Sequence, residues 1–171
     1  TITITSNAAD TQQSTAAEFN AINNATSVAV NATSVRELAS SNISDIKTLL
    51  TAGNDTNQFT ATSFGSLATV TVADTTLDVS DLNDSIAQAN TATGATSTSF
   101  TISSVDTINA GTAAEFTTLL GYESGSQISI TDQNLTVDSG TIGVSAANDL
   151  NNTTTGVVTA TITEGDMSTL A

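Results

Sequence analysis

Four aspartates, Asp74, Asp78, Asp81 and Asp84, fall within one stretch of eleven residues. That density of carboxylates is what a hard divalent cation selects, since calcium takes about six to eight oxygens from carboxylates and backbone carbonyls in a flexible loop. The spacing is not that of an EF-hand loop, which needs Gly at its sixth position and Glu at its twelfth. The same residues also suit the start of a helix, where Asp78 or Ser80 can accept backbone N–H groups and complement the helix dipole. A calcium site at Asp74, Asp78, Asp81 and Asp84 and a capped, solvated turn therefore both fit the sequence. Asp132 and Asp138 flank a further strand pair, and Asp166 in Glu164-Gly165-Asp166 reads as a helix start.

Other chemistry is thinly supplied. The chain has no His and no Cys, which removes the commonest general bases, thiolate nucleophiles and nitrogen or sulfur metal ligands. A Ser–Lys pair has only Lys47 to use, on a segment that also carries Asp45. Paired carboxylates could in principle cleave glycosides, but with no Trp, one Tyr and five Phe the chain lacks the aromatic platforms of sugar clefts. We read the chain as non-enzymatic. Asn-x-Ser/Thr triplets headed by Asn24, Asn31, Asn42, Asn54, Asn83, Asn134, Asn151 and Asn152 are glycosylation acceptors in form, and a chain this rich in Asn and Thr produces them by composition. The alternating threonines at residues 1–5 and 159–162 fit either a solvent-facing strand edge or a hydroxyl ladder of the kind that binds ice or sugar.

The elements that must hold these residues can be read from periodicity. Alternation predicts strands at residues 1–5, 27–30, 59–64, 70–72, 100–102, 128–130, 135–137, 142–144 and 157–162. Helical spacing predicts helices at 15–22, 35–38, 43–50, about 84–89, 113–120 and 146–150. Ile43, Ile46, Leu49 and Leu50 share one face, with Gly53 as a stop just beyond. Thr15 and Glu18 have capping-box spacing, in which hydroxyl and carboxylate satisfy the first free N–H groups reciprocally. Residues 90–98 read as a loop.

The chain repeats itself. Thr15-Ala16-Ala17-Glu18-Phe19 recurs as Thr112-Ala113-Ala114-Glu115-Phe116, and strands begin near Val70, Phe100, Ile128 and Val158 at intervals of 28–30 residues. A unit of that length cannot bury its apolar face alone, so units must stack. The abundance of Thr, which favours strands through its branched Cβ, and the absence of Pro point to a β-rich repeat β-solenoid of strand–turn–helix units. The alternative is an antiparallel β-sandwich. Residues 1–171 read as a single repeat-array domain, a segment of a longer or assembling chain.

Seventeen acidic residues against two basic ones, Arg36 and Lys47, give a net charge of −15. Nucleic acid and anionic membrane surfaces are poor partners for such a chain, because both need Lys and Arg. No apolar stretch approaches the roughly 20 residues of a membrane-spanning helix. Absent cysteine, scarce lysine and abundant Thr, Ser and Asn suit an exported protein.

Residues 153–162 (TTTGVVTATI), followed by 165–171 (GDMSTLA), resemble the Thr- and Ala-rich repeat regions of giant secreted cyanobacterial cell-surface proteins, some of them associated with calcium-binding RTX repeats, surface layers or swimming motility. The resemblance implies an exported structural or adhesive role, often calcium-dependent. The Gly-Gly-x-Gly-x-Asp nonapeptide of RTX repeats is absent, so the resemblance does not extend to a calcium-packed β-roll. The expected function is an extracellular structural protein that assembles with copies of itself into a surface layer, filament or matrix. The alternative is a calcium-dependent adhesin or carbohydrate-binding module that meets surface glycans. Calcium is the candidate cofactor.

Overall fold

The two Thr-Ala-Ala-Glu-Phe segments open helices in the same way. Thr15 and Thr112 each accept a hydrogen bond from the backbone N–H three residues on, while Glu18 and Glu115 reach back to the Thr15 and Thr112 backbone N–H groups. Phe19 and Phe116, one residue further along, are both buried. The same local sequence thus fixes a helix start and drives the following aromatic into the core.

The computed structural model describes residues 1–4, 13–93 and 98–163. Thr5 and Asp166, and with Asp166 the last segment of the family resemblance, lie outside the described residues. In chain order the elements are β1 (Ile2–Thr3), α1 (Ala16–Asn24), β2 (Val30–Asn31), β3 (Glu37–Ser41), α2 (Ile43–Gly53), β4 (Thr69–Val72) and β5 (Thr76–Asp78). They continue as α3 (Val79–Thr93), β6 (Ser99–Thr101), β7 (Thr107–Thr112), α4 (Ala113–Ser124), β8 (Asn134–Ser139), α5 (Val144–Thr153) and β9 (Val158–Thr159). Three sheets form, with strand orders β1-β2, β3-β4-β6 and β5-β7-β8-β9, and every pairing between these strands is parallel. Each helix packs on the next one in the chain, α1 on α2 through to α4 on α5.

This architecture corrects the expected one. The molecule is a mixed α/β domain, with five helices and three parallel sheets among the described residues, neither a β-solenoid nor an antiparallel β-sandwich. The helices run 9 to 15 residues and the described strands only 2 to 6, so helix, not strand, is the larger component. Threonine misled because it serves here in helices as well. The hydroxyls of Thr48, Thr91, Thr117, Thr118 and Thr153 each donate to the carbonyl four residues back, which satisfies the polar group without breaking the helix. The sandwich fails because parallel strands require long crossovers, and here the helices are those crossovers.

Several boundaries also differ. Residues 90–93, expected as loop, continue α3, and residues 128–130 and 142–144, expected as strands, hold only the bridges at Ile128 and Ile142. Residues 35–38, expected as a helix, lead into β3, because Leu38 pairs with Val70 and is buried by the neighbouring strand. Residues 59–64 hold one bridge, Val30 to Phe59, followed by turns in which Thr62 and Phe64 adopt positive φ. That unusual backbone turns the Phe64 ring inward, edge-on to Phe19 at 5.8 Å and tilted against Phe59 at 5.2 Å. Aromatic pairs in such geometry add about 0.5–1.5 kcal/mol beyond area burial.

The core is one cluster in which paired strand positions line up. Leu38, Val70, Phe100 and Ile128 follow one another across one sheet. Leu77, Ile108, Leu135 and Val158 do the same across another. Helix α3 completes the packing with Val79, Leu82, Ile86 and Ala89, all fully buried and spaced along one helical face.

Two glycines show how tightly this is packed. At Gly111, beside a bulge in β7, an added Cβ would come within 2.1 Å of Val79 Cγ1 and 2.9 Å of Phe116 Cε2. At Gly121, inside α4 rather than at its end, an added Cβ would meet nothing within 4 Å. Gly111→Ala is therefore expected to cost about 1–3 kcal/mol by overpacking, whereas Gly121→Ala is expected to gain about 0.5–1 kcal/mol from helix propensity. Urea denaturation of both variants checks the pair, and equal effects would contradict this packing.

Candidate functional site

The four aspartates at 74–84 sit where one strand–helix unit meets the one before it. Asp74 precedes β5, and its Oδ2 accepts the backbone N–H of Ile43 at 2.7 Å, the first residue of α2. Asp78 ends β5, and its Oδ1 accepts the N–H of Ser80 at 2.8 Å at the start of α3. These two carboxylates satisfy helix-start donors that would otherwise go unpaired. Asp81 and Asp84 lie one turn apart on α3 and meet Lys47 Nζ from α2, at 2.7 and 2.8 Å. The structure therefore brings Asp81 and Asp84 together around an ammonium group and sets Asp74 and Asp78 on separate backbone partners. Among the described residues no group of three or more His, Cys, Asp or Glu is arranged to hold a metal ion.

Lys47 is the centre of this arrangement. Donating to Asp81 first and Asp84 second pushes its pKa up, against the partial desolvation that opposes it. The group is about a third exposed, so the pair acts through screened electrostatics rather than as a dry ion pair.

Other singled-out residues have structural roles. Asp138 Oδ2 accepts the N–H of Ala110 at 2.9 Å, holding a residue with φ of 57° beside the β7 bulge. Asp132 accepts from Gln133 Nε2 and from the Thr131 hydroxyl. Of the Asn-x-Ser/Thr triplets, Asn83 is buried, donates to the Glu115 carbonyl at 2.9 Å and leaves its Oδ1 without a partner. Asn54 is bound to Gln88, and Asn134 accepts the Val157 N–H. Asn24, Asn42, Asn151 and Asn152 are exposed.

A surface concavity lies elsewhere, between residues 99–103 and 123–133. It is an open groove of about 610 Å³, within the usual range for small-ligand sites of about 300–1,000 Å³. Six hydroxyl side chains line it: Ser99, Thr101, Ser103, Ser126, Ser129 and Thr131. Glu123 and Asp132 add carboxylates, and Phe100, Ile102 and Ile128, nearly fully buried, supply the apolar floor. Sequence reasoning did not single out this groove. The signal was present in the alternation of Ser99, Thr101 and Ser103 and of Ser129 and Thr131, about one repeat apart. Neither segment looked unusual in so Thr- and Ser-rich a chain.

The chain matches no protein-family model, no curated protein and no solved structure. Among the described residues no helix is long and apolar enough to cross a membrane.

Lys47→Met would leave Asp81 and Asp84 facing each other without their shared counter-ion. The expected loss is up to about 1 kcal/mol at low ionic strength, shrinking in about 1 M salt as the repulsion is screened. Because the folded-state pKa of Lys47 is raised, its contribution is whole below the unfolded value of about 10.4 and is lost as pH rises beyond it. Denaturation at two ionic strengths, and across the alkaline range, should show this limb in the parent chain and not in Lys47→Met.

Proposed function

We propose that this chain is a non-enzymatic structural protein of the cell exterior that assembles end to end with copies of itself into a layer, filament or matrix. One observation carries the reading. The large apolar side chains that remain exposed among the described residues are Ile2, Ile22, Val28 and Val157, all in the first and last strand–helix units. Those units are also poor in charge. No charged residue lies between Glu18 and Arg36, and only Asp149 lies between Asp138 and Glu164.

The pairing rule of the fold supports the same reading. Within each sheet the strands pair in parallel and in chain order, so among the described residues β9, paired to β8, and β1, paired to β2, each end a sheet with one side unpaired. An open strand edge is a template for another chain. Joining the β9 side of one copy to the β1 side of the next is a heterologous contact that does not close on itself, and such contacts build filaments. The net charge of −15 opposes approach at low ionic strength and is screened by added cations. The absence of cysteine and the resemblance to secreted cyanobacterial surface proteins support placement outside the cell.

Light scattering across protein concentration, with sodium chloride and with millimolar calcium at matched ionic strength, tests the reading. Polymers are expected to grow with concentration and salt, and Ile2→Asp or Val157→Asp should shorten them. A chain that stays monomeric under every condition overturns it, and a gain with calcium beyond that with matched sodium would identify a specific calcium contribution.

A further inference from the structure

The groove at residues 99–103 and 123–133 has a chemistry that end-to-end assembly does not use. We infer that it binds a neutral oligosaccharide. The inference rests on the groove alone and is independent of the assembly reading.

The lining is laid out by the sheet. Val70 pairs with Phe100, which bridges to Ile128, so these three side chains point inward and their neighbours point out. Thr71 pairs with Thr101, and the Phe100–Ile128 register carries Ser129 to the same rank. The hydroxyls are therefore spaced about 4.8 Å apart across strands and about 6.6 Å apart along them. Such a grid offers donors and acceptors at once, because each hydroxyl can serve as either. Thr101, Ser103 and Ser129 are exposed, and no hydrogen bond within the described protein engages their side chains. Their hydrogen-bonding capacity faces the groove.

The charges select among ligands. Glu123 and Asp132 line the groove, and an ionised carboxylate only accepts. Adjacent sugar hydroxyls are donors that match it. No Lys or Arg lines the groove, and of the two in the chain Lys47 is engaged by Asp81 and Asp84. Phosphate, sulfate and uronate ligands are disfavoured on that account. Two carboxylates on a hydroxyl-lined surface also fall short of the oxygen set that a calcium ion gathers. Ser126 rims the groove with φ of 60°. Its N–H donates to Glu123 O, and the Gln127 N–H to Tyr122 O, the paired bonds that terminate a helix. This termination fixes the wall that carries Glu123. With no aromatic face exposed for stacking, polar contacts must supply the affinity, which sets it in the millimolar range.

Titration of isotope-labelled protein with cellotetraose and with maltotetraose, each to about 10 mM, tests the inference by backbone amide shifts. It is run at a protein concentration where scattering shows monomer. At least one of the two sugars is expected to move amides of residues 99–103 and 126–133, with tetragalacturonate giving no shift there. The double variant Thr101→Val/Ser129→Ala, altered at exposed positions only, is expected to weaken binding tenfold or more. Shifts absent for both neutral sugars, shifts elsewhere, undiminished binding by the double variant, or equal binding of tetragalacturonate would each overturn it. Because the readout is per residue on monomer, its failure leaves the assembly reading untouched, and loss of assembly leaves this one untouched.

Discussion

Parallel pairing in strict chain order is the constraint on which the molecule depends. Leu38, Val70, Phe100 and Ile128 occupy one rank across a sheet, and Leu77, Ile108, Leu135 and Val158 another. A slip of one residue in any strand would turn its buried side chain to solvent and its threonines inward. The hydrophobic rank therefore fixes the register. The register in turn fixes which hydroxyls share the outer face, including the grid that becomes the groove. Short strands suffice where, as at β3, β5, β7, β8 and β9, a strand is held both by its neighbours in the sheet and by a helix.

Polar side chains reinforce the same order between units. Ser41 accepts the Ala16 N–H, Asp74 accepts the Ile43 N–H, and Asp138 accepts the Ala110 N–H, each from about one unit further along the chain. Amides do this between helices: Asn20 to Asp45, Asn54 to Gln88, Asn83 to Glu115 and Asn90 with Gln127. The abundance of Asn, Ser and Asp is thus spent largely on donors and acceptors that the backbone leaves over at helix starts and bulges. A chain with few aromatics and no cysteine gains specificity between units from such bonds, since apolar rows alone tolerate alternative stackings.

What the sequence revealed and what it hid follow from this division. Local signals were legible: the Thr15–Glu18 capping box and its recurring segment at Thr112–Phe116, the α2 face of Ile43, Ile46, Leu49 and Leu50, and an interval near thirty residues between strands at Val70, Phe100, Ile128 and Val158. Signals that depend on a partner strand were not. Residues 35–38 have helical spacing, yet Leu38 is claimed by Val70. Residues 59–64 alternate like a strand, yet Phe64 is needed in the core beside Phe19 and Phe59. Threonine content suggested strand where back-bonding to the preceding turn made helix acceptable. Of the cluster Asp74, Asp78, Asp81 and Asp84, the helix-start role of Asp78 toward Ser80 is local, but the partners of the other three, Ile43 N–H and Lys47, lie about thirty residues earlier. Only the stacking of units brings them into reach.

Charge carries the last step. With seventeen acids and two bases, this chain has little attraction to draw from ion pairs, and its one lysine is already committed between α2 and α3. Like charges on neighbouring surfaces then act mainly as a repulsion, strongest where carboxylates are densest. That density peaks at Asp74 to Asp84, and residues 19–35, 56–73, 85–105 and, apart from Asp149, 139–163 carry no carboxylate. Contact between copies through Asp74 to Asp84 would press like charges together, whereas Ile2, Val28 and Val157 are exposed on charge-poor segments. The end-to-end assembly proposed above keeps the Asp74 to Asp84 carboxylates of neighbouring copies apart, and it would add copies in the direction in which the strands already pair.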